Sequence, residues 1–329
     1  VYIYLSKVER VIMKVIGKKI STNTSLFLFL GFLIILFSFT SEHFLSSYNI
    51  TSLLTNISYS GIAAIVLTLV MISRGLDISI GGVIGLTTVV VSALYSQSDP
   101  LPIWLILTIG LGTGAVVGLI NGWCITALDM DPIITTLGAM AITRGLAYVI
   151  SDSQSILMFE ETTDFISNGV FFNIPIPIIL FMLTALICGV VLHKSKFGRS
   201  IYAIGANEVS ASLSGISVNK TKMILYVFTG IAASISGIIL LGQTSVGMPQ
   251  HGIGAELEVI TAVLLGGTAL SGGKGTIYGT IAGVLILGVL FNGLTISGVR
   301  YVHLQIFQGL LLLVAVATYE IKTRNEVAR

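Results

Sequence analysis

Three charged side chains stand within or at the edges of long apolar runs: Arg74 and Asp77, separated by three positions, and Arg144, about eleven residues into a later run. A charge placed in hydrocarbon costs about 2.5 kcal/mol or more, so each of these must face the protein interior, find a partner or serve a function. On a helix, the spacing of Arg74 and Asp77 brings them onto one face, where they either pin the end of a span as an ion pair or meet a solute. Arg144, at roughly 1.5 Å of rise per residue, falls near mid-bilayer and must point inward, toward a partner the sequence does not name. Glu256 and Glu258 head another apolar run, and either form a solvated helix start or greet an entering molecule.

Other chemistry-bearing residue types lack the required arrangement. His43, His193, His251 and His303 are dispersed, with no metal-ligand spacing and no acidic neighbour in sequence, so a membrane-embedded hydrolase or transferase is disfavoured. Cys124 and Cys188 both lie in apolar runs and read as small buried side chains rather than a disulfide or a metal site. The stretch GGTALSGGKGT (266–276) carries Gly-Gly-Lys-Gly without the spacing of a phosphate-binding loop, so its glycines serve a tight turn and close helix approach. A net charge of +2, with the basic residues distributed by topology and not in one patch, is too small to imply a nucleic-acid partner, and none is expected.

The elements that must hold these groups are membrane spans. Of 329 residues, 54% are hydrophobic and 10% charged, and 36 glycines are scattered through the apolar runs. The runs are continuous and near the roughly 20 residues a spanning helix needs, which excludes a transmembrane barrel with its short alternating segments. The fold expected is an all-α integral membrane protein of about ten transmembrane helices, forming a single transmembrane domain over 1–329. The spans are placed at 24–40, 53–73, 78–95, 102–128, 133–151, 175–193, 222–243, 256–270, 276–296 and 302–320. Those near 78, 133 and 256 fit broken or re-entrant helices equally well, because glycine or charge intrudes. The first run, 25–40, has no clear small-residue cleavage site and reads as a retained anchor.

Positive charge is retained on the cytoplasmic side of a membrane. With ten spans and the N-terminus inside, the head from Lys7 to Lys19, then Arg74, Lys194, Lys196, Arg199, Lys220, Lys222, Lys274, Lys322, Arg324 and Arg329 all fall inside; Arg300 alone falls outside. The loop 151–173, with four acidic and no basic residues, suits the exterior. Comparing 70–90 with 264–284 pairs Leu76, Gly81 and Gly85 with Leu270, Gly275 and Gly279, which points to a two-fold internal repeat or to two glycine-rich segments alike only in composition.

The polar loop at about 194–221 is too hydrophilic to span and predicts a short helix. Asn207 is a good N-cap, Glu208 suits the positive end of the helix dipole, Val209, Leu213 and Ile216 share one face, and Gly215 suits the C-terminal turn. Such a helix either lies on the membrane surface or docks in a partner's groove.

Three stretches carry a family resemblance. FGRSIYAIGANEVSASLSGISVNKTK (197–222) resembles the cytoplasmic coupling loop of ribose-type ABC sugar permeases, including Gly205, Asn207, Glu208, Val209, Leu213, Ser214 and Gly215. SRGLDISIGGVIGL (73–86) resembles the family's Gly-Ile-Asp-Leu-Ser-Val-Gly motif, and 256–283 its glycine-rich second-half signature. Arg74 stands where the family usually has a small residue, and Leu76 replaces the usual isoleucine. The resemblance implies a multi-pass permease in the cytoplasmic membrane of a bacterium, with both termini inside. It further implies three partners: a cytoplasmic ABC ATPase that uses ATP and Mg, an extracytoplasmic sugar-binding protein, and a second permease subunit, identical or paralogous. No cofactor would be bound by this chain itself. A sugar route needs amides, hydroxyls and aromatic faces rather than fixed charge, which nominates Asn56, Asn121, Gln243 and Asn292, although hydrogen bonding between helices uses the same residues. The alternative from another class, an ion-coupled secondary sugar transporter, needs acidic residues near the midplane, and Asp77, Asp129 and Asp131 are the candidates.

Overall fold

Each apolar run becomes a helix, because a backbone out of water must satisfy its own hydrogen bonds. The computed structural model describes residues 22–327; the basic head from Lys7 to Lys19 and Arg329 lie outside them. In chain order the helices are α1 (Thr22–Thr40), α2 (Ser47–Ile72), α3 (Ile80–Tyr95), α4 (Ile103–Ala127), α5 (Pro132–Ile150), α6 (Glu161–Asn168), α7 (Ile176–Lys194), α8 (Lys196–Ala206), α9 (Glu208–Leu213), α10 (Val218–Thr244), α11 (Ala255–Leu265), α12 (Ile277–Ile296) and α13 (Tyr301–Val327). Among the described residues four two-residue strands accompany them: β1 (Ile156–Leu157) pairs antiparallel with β4 (Val246–Gly247), and β2 (Val170–Phe171) with β3 (Ile174–Pro175).

Among the described residues, six helices (α2, α4, α5, α7, α10 and α12) are long and apolar enough to cross a membrane, and 24–40, 80–95 and 302–317 are shorter apolar helices. Every expected span coincides with a helix, but α11 has only 11 residues and reaches about 16 Å at 1.5 Å per residue, half of a bilayer core. The expected span at 256–270 is therefore a half-helix followed by the glycine-rich turn 266–276. The proposed repeat gains no common geometry: Gly81 is the second residue of α3, whereas Gly275, its aligned counterpart, precedes α12 by two positions. The acidic loop is also more structured than its composition announced, holding α6, whose N-cap Glu160 accepts from the Thr163 N–H at 2.8 Å, and the β2–β3 hairpin.

The core is built on α2 and α10. In α2, residues 60–72 are buried without interruption, as befits a helix apolar on every side. Helix α10 packs on α4 through glycine: a Cβ on Gly114 would collide with the Gly230 carbonyl, one on Gly230 with the Gly114 carbonyl, and one on Gly118 with the Tyr226 carbonyl. The two backbones touch, and small residues are what permit this. Outward faces of α4, α5 and α7 expose apolar side chains such as Val116, Ile120, Ile142, Val149, Leu186 and Val190, as a lipid-facing surface does.

Candidate functional site

The polar loop between α7 and α10 folds into two short helices, α8 and α9. Ser195 caps α8, accepting from the Gly198 N–H at 2.9 Å, and α8 buries Ile201, Ile204 and Gly205. Asn207 then breaks the chain direction with extended backbone and caps α9, its Oδ1 accepting from the Ser210 N–H at 2.8 Å. Glu208 opens α9 and receives the Lys222 Nζ at 2.7 Å, so the helix is tied to the start of α10. Ser214 ends it with its hydroxyl on the Ser210 carbonyl at 2.8 Å. Gly215, at φ +81°, turns the chain back, a conformation glycine adopts without strain.

Val209 and Leu213 do share an outward face, 70% and 85% exposed, but Ile216 lies beyond the helix and packs inward beside Ile204, Ala211 and Val218. The helix stops too early to carry it.

Beside this loop, the two non-helical stretches 73–79 and 266–276 meet. Arg74, in the left-handed region at φ +64°, does not pair with Asp77 as the i, i+3 spacing predicted, because the chain has already left α2. Instead its Nε donates to the carbonyls of Gly205 at 2.9 Å and Ser271 at 3.0 Å, and its Nη2 to that of Ala206 at 3.2 Å. The Gly273 N–H donates to the Ile72 carbonyl at 2.8 Å, and the Tyr202 hydroxyl to the Gly275 carbonyl at 2.7 Å. A Cβ on Gly205 would strike the Ile72 carbonyl and Gly273 nitrogen. The end of α8 and both breaks thus form one hydrogen-bonded junction.

Asp77 is 1% exposed and folds its own break: its Oδ1 accepts from the Ser79 N–H at 2.9 Å and the Ser79 hydroxyl at 2.6 Å. Asn121 Nδ2 donates to the same Ser79 hydroxyl at 3.0 Å, and the Tyr226 hydroxyl to the Leu76 carbonyl at 3.3 Å. Arg144 plays the corresponding part for the stretch before α11, donating to the carbonyls of Gly81 at 3.0 Å and His251 at 2.6 Å, and to that of Pro249. Both arginines therefore donate to backbone carbonyls of stretches that flank the helix breaks, Arg74 at the end of α8 and the 266–276 turn, Arg144 at the first turn of α3 and the stretch before α11. Glu256 and Glu258 are half-buried rather than a solvated start; Glu256 Oε1 accepts from the Gly254 N–H at 3.2 Å, and Glu258 meets the Ser60 hydroxyl.

The nominated amides are not brought together. Asn292 and Asn49 exchange two side-chain hydrogen bonds, at 2.9 and 3.0 Å, joining α12 to α2. Asn56 reaches Ser52 at 3.4 Å on an exposed face, Asn121 serves the Asp77 break, and Gln243 sits near the far end of α10 with a buried Nε2 that has no partner among the described residues. Tyr202, Ser79 and Tyr226 escaped the sequence reading, since one tyrosine or serine within an apolar run carries no spacing signal.

A family model described as branched-chain amino acid transport system / permease component matches residues 49–316. The ribose import permease protein of Bacillus subtilis (strain 168) is 39% identical over 293 residues, which cover 88% of this chain and 90% of that protein. The chain belongs to the ribose-type ABC permease family. The permease is also similar to the L-arabinose transport system permease protein of Escherichia coli (strain K12), 36% identical over 274 residues and 83% of each chain. The ribose import permease protein of Haemophilus influenzae is 34% identical over 294 residues, covering 88% of this chain and 90% of that one. The permease is accordingly a multi-pass membrane protein of a sugar-transport family.

Proposed function

We propose that this permease is the membrane-spanning subunit of an ATP-driven importer that carries a monosaccharide such as ribose or arabinose across the cytoplasmic membrane by alternating access. A separate cytoplasmic ATPase supplies the energy from ATP and Mg, an extracytoplasmic binding protein delivers the sugar, and a second permease subunit, a copy or a paralogue, completes the route. The observation that carries this reading is α9: a capped, ion-paired helix that holds Val209 and Leu213 outward at the end of the bundle where both helix breaks converge. Apolar side chains so presented on a polar loop fit the groove of a partner. Movement of the partner would reach the breaks through the carbonyls of Gly205 and Ala206 as a rigid-body displacement.

Co-purification of the tagged chain from membranes tests this, with Glu208→Arg and Leu213→Asp alongside. An ATPase recovered with the native chain and lost from both variants is the expected result. A folded, abundant chain that brings no ATPase would instead favour an ion-coupled transporter.

A further inference from the structure

Between α2, α11, α12 and α13 lies a cavity of about 500 Å³ with several polar side chains in its lining. Tyr59, Gln250, His251, Glu258, Gln305 and Gln308 face it, with Phe291 closing one wall. By helix rise, Tyr59 is about 18 Å along α2 from Ser47, close to the middle of that helix, and Gln308 about 10 Å into α13. This is membrane depth. Polar side chains and irregular backbone are stable there only where they are buried in protein or line a water-filled space. Gln250 and Gln305 are exposed, so the cavity opens toward water or toward another subunit, not toward lipid tails.

Part of the lining is held rigidly. Gln308 Nε2 donates to the Gly254 carbonyl at 2.9 Å, bracing α13 against the start of α11. Arg144 fixes the His251 carbonyl from the other side. His251 itself is 9% exposed, and its Nδ1 is buried without a partner among the described residues. An unpartnered buried polar atom is costly unless something occupies the site in the working protein.

We propose that this cavity is a monosaccharide-contact site on the transport route, an inference that rests on the importer reading above. Carboxamides both donate and accept, and so match sugar hydroxyls in either role. Tyr59 and Phe291 offer the flat apolar walls that a sugar ring's C–H face requires. Glu258 offers carboxyl oxygens to hydroxyls, and among the described residues no lysine or arginine lines the cavity to balance the charge of a sugar phosphate or acid, which assigns the site to neutral sugars. The volume falls within the range of small-molecule pockets.

The test uses the complete transporter in proteoliposomes, with D-ribose and L-arabinose as probes. Gln305→Leu, at an exposed rim position, is expected to lower sugar carried per ATP hydrolysed at least tenfold, with Gln305→Asn recovering most of it. In a second measurement Gln305→Cys should react with a water-soluble maleimide, and sugar-loaded binding protein with ATP should slow that reaction severalfold. If native protein carries both sugars while Gln305→Leu does so equally and the cysteine stays unreactive, the site is wrong and the importer reading stands. If native protein carries neither sugar, both fall together. Sodium, rather than sugar, protecting the cysteine would also overturn the assignment.

Discussion

Arg74 Nε donates to the carbonyl of Gly205 at 2.9 Å, across 131 positions of sequence. The guanidinium thereby ties its own break to two other segments, since the same nitrogen reaches Ser271 and Nη2 reaches Ala206, the neighbour of Gly205 at the end of α8. Removing it by Arg74→Ala leaves the α8 terminus attached to the breaks chiefly through the Tyr202 hydroxyl. Sugar carried per ATP should fall about tenfold, read in proteoliposomes, while the chain still inserts. Arg74→Gly loses the same bonds but relieves the left-handed backbone, so its thermal unfolding midpoint should exceed that of Arg74→Ala by the equivalent of about 1 kcal/mol.

Gly205→Ala places a methyl group against the Ile72 carbonyl and the Gly273 nitrogen. Backbone cannot yield as a side-chain tip can, and overpacking of this kind costs about 1–3 kcal/mol. Reduced thermal stability together with loss of ATPase co-purification is expected, even though α9 itself is unchanged.

Asn207→Ala removes the acceptor of the Ser210 N–H. The local cost is about 1 kcal/mol, and in a six-residue helix that is enough to fray it. Affinity for the ATPase should drop severalfold, measured by titration in detergent, whereas Asn207→Asp should retain native affinity because it caps equally well.

Asp77→Asn keeps an oxygen for the Ser79 N–H, whereas Asp77→Ala leaves the Ser79 donors of the break without it. Leaving a buried donor unmet costs about 1–3 kcal/mol. The asparagine variant should be the more stable of the two, by thermal unfolding of the purified protein, and the alanine variant should accumulate poorly.

The sequence announced much of this architecture because hydropathy is a local property. Long apolar runs around Ile65 or Leu241 have one stable form in lipid, and the Asn207 cap and Gly215 turn are read from adjacent residues. What escaped is non-local. Arg74 and Asp77 look like a pair at helical spacing, yet the helix ends at Ile72 and their partners come from segments far along the chain. Asn292 was readable as a polar group in an apolar span, but nothing nearby indicated that Asn49 would meet it. The cavity went unnoticed for the same reason: Gln250, Glu258 and Gln305 lie on three separate elements, and only the i, i+3 pair Gln305 and Gln308 in an apolar helix offered a hint.

The glycine contact between α4 and α10 restricts how the bundle can move. With the backbones of Gly114 and Gly230 in contact, neither helix can slide or rotate past the other without parting first, so the two amount to a single strut. Its lower end begins at Val218, a few residues past α9. A displacement of the loop would therefore carry α4 and α10 together, leaving flexing to the stretches where helical hydrogen bonding is already interrupted.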